Sequence, residues 1–500
     1  MTDARKRMSR RQFLKLASAA AGSTALAACG AGPAPTQTAA DQATAAPTDA
    51  AAVVEATVAP TEAAPAPEPT VDPAMAPIAT VEVGGPEAAG AKQLRLSVWA
   101  DVQDAEVYKN ILTSWHEQQS DYRVSIEQYP GGYYEKMQAN FAAGTSADVL
   151  YMQGWSWQAY SQVLHPLDEY IARDTLTASF PDTESYKNTT QWEGKTYMTP
   201  TDVGSLVVYY NKDLFDKHGV AYPKKGWTWE DFQQTVKQLS SADGETRYYG
   251  WAQAGGWNGG YGRVVNFMRR NGYVEWDQVV EPKKAMWDHP DVVSALQFLI
   301  YDAIKNEWSP GPDVIAGGGI GVDTGRVAMV QEGPWYMPRL WGELAATEQG
   351  INFDVVEPPV GTANRNFTFA HVHGHTVAAA SQEKDGAWEL IKFILSDEGQ
   401  QLIAQGGRMC GTPTNIDKIW GPIASKQYNF ENVSAFSNGM REGSTPVIFG
   451  DGSQIHAYGG GPISALWDTL LGLQADAQTA VTEANPEIQR IVDEYWSFKA

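Results

Sequence analysis

The stretch GTSADVLYMQGWSW (144–157) decides the fold. Its Gly144 closes the helical pattern YYEKMQANFAAG (133–144), because glycine takes the left-handed backbone that ends a helix. DVLYM (148–152) then reads as a short buried strand, with QGWSW (153–157) just past its carboxyl end. Upstream, QLRLSVWA (93–100) and YRVSIEQY (122–129) alternate apolar and polar residues, as strands do when successive side chains point to opposite faces. Between them, AEVYKNILTSWHEQQ (105–119) puts Val107, Ile111, Leu112 and Trp115 on one helical face. Strands alternating with helices predict a parallel α/β sheet, and ligands of such sheets bind beyond the strands' carboxyl ends. Gln153, Trp155 and Trp157 are therefore candidate binding residues, or else they pack beneath a helix.

Farther along, GSLVVYYN (204–211) is a strong strand, followed by a short helix, KDLFDKHG, stopped by Gly219. TWEDFQQTVKQLSS (228–241) opens with Thr228 and Asp231 at capping-box spacing. DVVSALQFLIYDAIKN (291–306) is amphipathic, AWELIKFILS (387–396) and EGQQLIAQGG (398–407) are helices with Ser396 as a cap between them, and the tail (463–496) reads as helical with an interruption near Pro486. In GRVAMVQEGPWYM (325–337), an apolar run, Val327 to Val330, leads to the turn signal Gly333–Pro334, and Trp335 and Tyr336 come next. Large aromatics just past a turn either line a cleft or close the core at the strand's end. No internal repeat is present.

The chain has 500 residues, enough for two or three domains, with 43% hydrophobic residues to build a sizeable core. A formal charge of −22 argues against binding nucleic acid, whose phosphates demand a basic surface, and against electrostatic docking to anionic lipid. The cysteines are Cys29 and Cys410, too few for a disulfide framework. SRRQFLK (9–15) matches the twin-arginine export pattern, and a mild Ala-rich stretch, too short to span a membrane, leads to LAAC (26–29). This predicts a signal peptide over 1–28 and a lipid anchor on Cys29; the alternative is a plain secretory signal with an incidental cysteine. Residues 29–91 then read as a disordered Ala/Pro/Thr-rich tether, with no Lys or Arg from Leu16 to Ala91. Such a chain spans about 45 Å as a flexible coil and about 190 Å as polyproline helix.

Several segments together resemble one family, the extracellular solute-binding proteins of ABC importers, in particular the sugar-binding group. They are GTSADVLYM (144–152), LVVYYNKDLFDKHG with WTWEDF (206–232), GRVAMVQEGPW (325–335), the long run from Gly374 to Asn415, and TPVIFGDGSQIH (445–456). They occur in the family's order from Lys92 to the end. The resemblance implies a type II two-lobed α/β periplasmic-binding-protein fold with the ligand between the lobes. It places the first lobe at 92–202 plus 370–430, the second at 206–365 plus 435–500, and hinge strands near 203–205 and 366–371. It further implies a monomeric receptor, held outside the cytoplasm by Cys29, that delivers a mono- or oligosaccharide to separate permease subunits, without chemistry on the ligand and without a cofactor.

In this family the tryptophan that ends the GxxAMxxxGPW segment often lines the cleft, which makes Trp335 the first candidate. A flat indole covers the apolar C–H face of a sugar, while polar groups take its hydroxyls. Asp202 stands at the first hinge, either as a hydroxyl acceptor or as a turn cap. Trp257 lies in the glycine-rich GGWNGGYGR (255–263), a ligand loop or a surface loop. Arg408 reaches a hydroxyl or pairs on the surface. HVHGH puts His371, His373 and His375 at alternating positions; a shared strand face raises metal binding, but the family shows no metal there, and His373 is the one expected to touch ligand. Enzyme signatures are missing: HEQQS (116–120) lacks the second histidine of a zinc-protease helix, and no G-x-S-x-G elbow occurs. Two alternatives remain: the same fold with a peptide, polyamine or other cargo, and a surface-tethered glycoside hydrolase, for which 59 carboxylates leave room.

Overall fold

The computed structural model describes Thr80, Val81, Val83 and Gly90 to Lys499, apart from 100–101, 130, 253–260, 273, 317–320, 343–349, 363–367 and 451–460. The leader, Cys29, most of the tether range and Trp257 lie outside these residues. In chain order the strands are β1 (Thr80–Val81), β2 (Lys92–Trp99), β3 (Tyr122–Tyr129), β4 (Val149–Gln153), β5 (Leu164–His165), β6 (Gln191–Trp192), β7 (Lys195–Thr196), β8 (Thr199–Ser205) and β9 (Val207–Asn211). They continue with β10 (Ser241–Asp243), β11 (Thr246–Tyr248), β12 (Met329–Glu332), β13 (Phe353–Val356) and β14 (Ala370–Ala378). β6–β7 and β10–β11 are short hairpin pairs; the rest build two sheets.

The larger sheet runs β1-β3-β2-β4-β14-β5, and β8 also pairs with β14. β2 is parallel to β3 and to β4, as the alternating pattern predicts. The sheet as a whole is mixed, because β14 is antiparallel to β4, β5 and β8. The chain leaves the sheet along β8 and comes back into it along β14, which runs the opposite way beside it. β1 lies within the range read as tether. It pairs Thr80 with Glu127 and Val81 with Ile126, extending the sheet at the open edge of β3, and the nearby Val83 packs on the core under this sheet.

The smaller sheet is β12-β9-β13, antiparallel throughout. Leu206 alone separates β8 from β9, so the chain passes from one sheet to the other across a single residue. There Leu206 N–H donates to Phe369 O (3.1 Å), Ala370 N–H to Ser444 O (2.8 Å) and Ser444 N–H to Thr368 O (2.8 Å). Three chain segments thus lie side by side where the sheets meet. One core, with Leu96, Ile111, Trp388 and Ile391, underlies the larger sheet. A second, with Phe232, Trp251, Trp287 and Trp467, belongs to the helices around the smaller one. A third joins both sheets through Met152, Trp157, Tyr209, Val330, Phe353 and Phe436.

The helices follow their sequence signals closely. Tyr133–Ala143 ends at Gly144, φ 70°, and Lys212–His218 ends at Gly219, φ 65°. Thr228 and Asp231 form the reciprocal capping box of Trp229–Leu239, and Ser396 caps Asp397–Gln405. The expected amphipathic helix at 291–306 is continuous but takes a π-helical turn over Gln297–Asp302. The tail differs from expectation. It breaks after Pro462–Leu471, at Gly472 and the left-handed Leu473 (φ 51°), and Ala477–Lys499 then runs straight through Pro486. Gly472 and Leu473 make the turn that the proline was expected to make.

Candidate ligand-binding site

The site forms where β4, β14 and β8 end against the smaller sheet. In the β-ladder, His373 lies opposite Gln153 on β4 and opposite Asp202 on β8. Directly paired residues share a face, so all three project from the same side of the sheet. His371 and His375 alternate onto that side as well. The ring centroids of His371 and His373 are 4.6 Å apart. Trp155, just past the end of β4, stands edge-on to both, at 5.2 and 5.1 Å. Its outer side packs on Ile448 and Trp192, leaving it 2% exposed.

Burial lowers all three histidine pKa values, His371 well below the usual range and His373 and His375 to about 3. His371 is also disfavoured as a cation by His373 and Arg263, and the other two by Arg408. Each ring is therefore neutral near pH 7, with one donor and one acceptor nitrogen. His375 Nδ1 meets Thr201 Oγ1 at 2.6 Å. Nδ1 of His371 and of His373 is buried without a hydrogen-bond partner among the described residues. These are unmet polar groups of the kind a bound hydroxyl satisfies.

Trp335 approaches from the other sheet. β12 ends at Glu332, and Gly333 and Pro334 turn the chain into a single 3-10 turn, Pro334–Tyr336. The turn splits the aromatic pair. Tyr336 goes inward, edge-on to Tyr209 at 5.4 Å, while Trp335 remains 37% exposed. Its ring centroid is 5.8 Å from His371. Indole Nε1–H donates to Glu332 Oε2 at 2.9 Å, and Glu332 is paired in turn with Arg263, whose Nε lies 2.8 Å from Oε1. The guanidinium sits 5.7 Å over the Trp335 ring. Gly204 on β8 is required beneath them, since a Cβ there would stand 2.4 Å from the His371 ring and 2.9 Å from Trp335.

The candidates thus separate by position. Trp335, His373 and Trp155 converge around His371. Asp202 and Arg408 are adjacent to them but joined to each other: Arg408 Nη1 donates to Asp202 Oδ2 at 2.7 Å, and Tyr151 O–H contacts the same carboxylate at 2.9 Å. Gln153 is buried, its Oε1 accepting from Tyr134 O–H at 3.2 Å. Trp157 is fully buried in the joining core and donates to Thr189 O at 2.6 Å. Cys410 is buried, and burial pushes its thiol up to about 12. Among the described residues no three His, Cys, Asp or Glu side chains converge as a metal site. A polar hollow of about 240 Å³ lies between Lys92, Tyr122 and 381–385, at the amino ends of β2 and β3 and so at the opposite end of the sheet. Sequence reasoning missed Glu332 and Arg263 as parts of this cluster and favoured His373 over His371. A glutamate inside a buried strand was the available signal, since a buried charge demands a partner.

The bacterial extracellular solute-binding protein family pattern matches residues 98–401, more than half the chain. A binding protein of Brucella abortus is 22% identical over 282 residues, 54% of this chain and 64% of that protein, under two thirds of its length. The sn-glycerol-3-phosphate-binding periplasmic protein of Yersinia enterocolitica is 23% identical over 192 residues, 34% of this chain and 42% of that protein. Among solved structures, the sugar-binding protein MalE of Xanthomonas citri superposes with a TM-score of 0.67 at 18% identity, covering 82% of this chain and 99% of that one. The Listeria monocytogenes ABC substrate-binding protein solved with cycloalternan gives 0.63 at 20% identity, covering 81% and 99%. The shared architecture is the two-lobed type II periplasmic-binding fold. By its sequence pattern and its fold, the chain belongs to the bacterial extracellular solute-binding protein family.

Proposed function

We propose that this protein is a carbohydrate receptor that captures a mono- or oligosaccharide outside the cytoplasm and hands it to the permease of an ABC transporter. The partly exposed Trp335 indole carries the reading, because it stands beside a cluster of neutral histidines where the two sheets meet. A sugar offers the matching chemistry, C–H faces for the indole and hydroxyls for the ring nitrogens. The ionic state of the cluster supports an uncharged ligand. Arg263 is paired with Glu332 and Arg408 with Asp202, and the histidines are neutral. An anionic phosphate ester would need a cation released from such a pair, and a polyamine a carboxylate, so both are disfavoured relative to a neutral polyol. We further propose that the lobes are bounded at 92–202 plus 370–430 and 206–365 plus 435–500, that ligand enters by their separation, and that Cys29 tethers the protein to the membrane.

The test is a thermal-shift screen of maltose, longer maltooligosaccharides, monosaccharides, sn-glycerol-3-phosphate and spermidine, since a ligand bound only by the folded state raises the melting temperature. A shift with one of the neutral sugars is expected, and Trp335→Ala should weaken that binding by about 1–3 kcal/mol with the fold intact. A shift with the phosphate ester or the amine alone would overturn the reading. New reducing ends released from an oligosaccharide would point to hydrolysis instead.

A further inference from the structure

Glu332 and Arg263 are both nearly buried, at 7% and 3% side-chain exposure. A buried ion pair is a poor device for stability, because the cost of removing two charges from water offsets their attraction, and apolar residues of the same volume do as well. This pair stands directly behind Trp335. One carboxylate oxygen, Oε2, accepts the indole N–H at 2.9 Å, while the other, Oε1, takes Arg263 Nε at 2.8 Å. The same guanidinium lies 5.7 Å over the indole ring. The Cζ3 edge of the ring lies against Gly204, where a Cβ would stand 2.9 Å from it, and the ring is tilted beside His371. A surface tryptophan would otherwise sample several rotamers.

We infer that Glu332 and Arg263 are positioning residues that hold the Trp335 indole in one attitude before ligand arrives, with Gly204 as the gap that admits it. A ring fixed in advance loses less freedom on binding, so the pair sets affinity and shape selectivity without touching the ligand. The inference rests on Trp335 being a ligand surface. The experiment is performed without ligand, so that its failure leaves that reading standing and the reverse.

The full chain is labelled with ¹⁵N at the tryptophan indoles, and the Trp335 cross-peak is assigned by its loss in Trp335→Phe. Trp99 and Trp341 are equally exposed, at 40% and 36%, and provide the internal reference. In the unaltered protein, exchange of the Trp335 N–H with solvent should be at least about tenfold slower than theirs, the scale of a hydrogen bond to a charged group. Glu332→Ala should abolish that protection and shift the peak, while Glu332→Gln, which keeps an oxygen acceptor, should retain most of it. Arg263→Met should shift the peak with the melting temperature followed in parallel. A Trp335 N–H that exchanges as fast as those of Trp99 and Trp341 overturns the inference even if no variant folds. So does a peak that Glu332→Ala leaves unmoved.

Discussion

His375 shows what a buried titratable ring does to a protein's acid tolerance. It is fully buried, with its ring edge-on to Tyr108 at 5.7 Å and 5.5 Å from Tyr151, and Arg408 close by. Its pKa falls to about 3, against about 6.5 in an unfolded chain. Between those values the unfolded state holds the extra proton, so stability is complete above about pH 6.5 and declines as pH drops through the window, by up to about 1.4 kcal/mol per pH unit. His371 and His373 are lowered in the same direction and add to the slope. The melting temperature should therefore fall from pH 6.5 toward pH 4.5, and His375→Gln should flatten that fall. An identical slope in the variant would show that other groups govern acid unfolding. Gly374, between two of these histidines, makes a sharper prediction. A Cβ there would stand 1.6 Å from Thr199 O, where the β8–β14 register shifts. Gly374→Ala should give protein that fails to fold, read as loss of the cooperative melting transition.

Elements were easier to read from the sequence than their directions or partners. Caps and stops are local, so Gly144, Gly219, Thr228 and Ser396 declare themselves within a turn of chain. Thr228→Ala removes the side chain that accepts from Asp231 N–H at 3.1 Å, and should lower stability by about 1 kcal/mol in denaturant unfolding while leaving ligand affinity alone. An unchanged midpoint would mean that the helix end is held by tertiary contacts instead. Strand direction is not local. Nothing local in 370–378 gives β14 its antiparallel setting beside β4 and β8, which only the packed fold shows. The candidate site was legible to a similar extent. Trp335 is marked by its own turn, whereas the pairing of Glu332 with Arg263 joins residues 69 apart, and that of Asp202 with Arg408 residues 206 apart. No periodicity connects such positions; only the packed fold does.

At the scale of the whole molecule, the acidic balance of −22 and the paired charges at the site describe a solvated body with an electrically quiet interior cluster. Among the described residues no helix is long and apolar enough to cross a membrane, and in our proposal the membrane anchor is the lipid on Cys29. Cys29→Ser should move the protein from the membrane fraction to the soluble fraction in cell fractionation, and continued retention would contradict a lipid anchor. Leu206 adds a mechanical consequence. With one residue between β8 and β9, the two sheets share a link only one residue long. Gly204, just upstream, bears the Trp335 ring. A change in the angle between the sheets should therefore disturb the Trp335 ring, read as a near-ultraviolet dichroism change that Trp335→Phe removes.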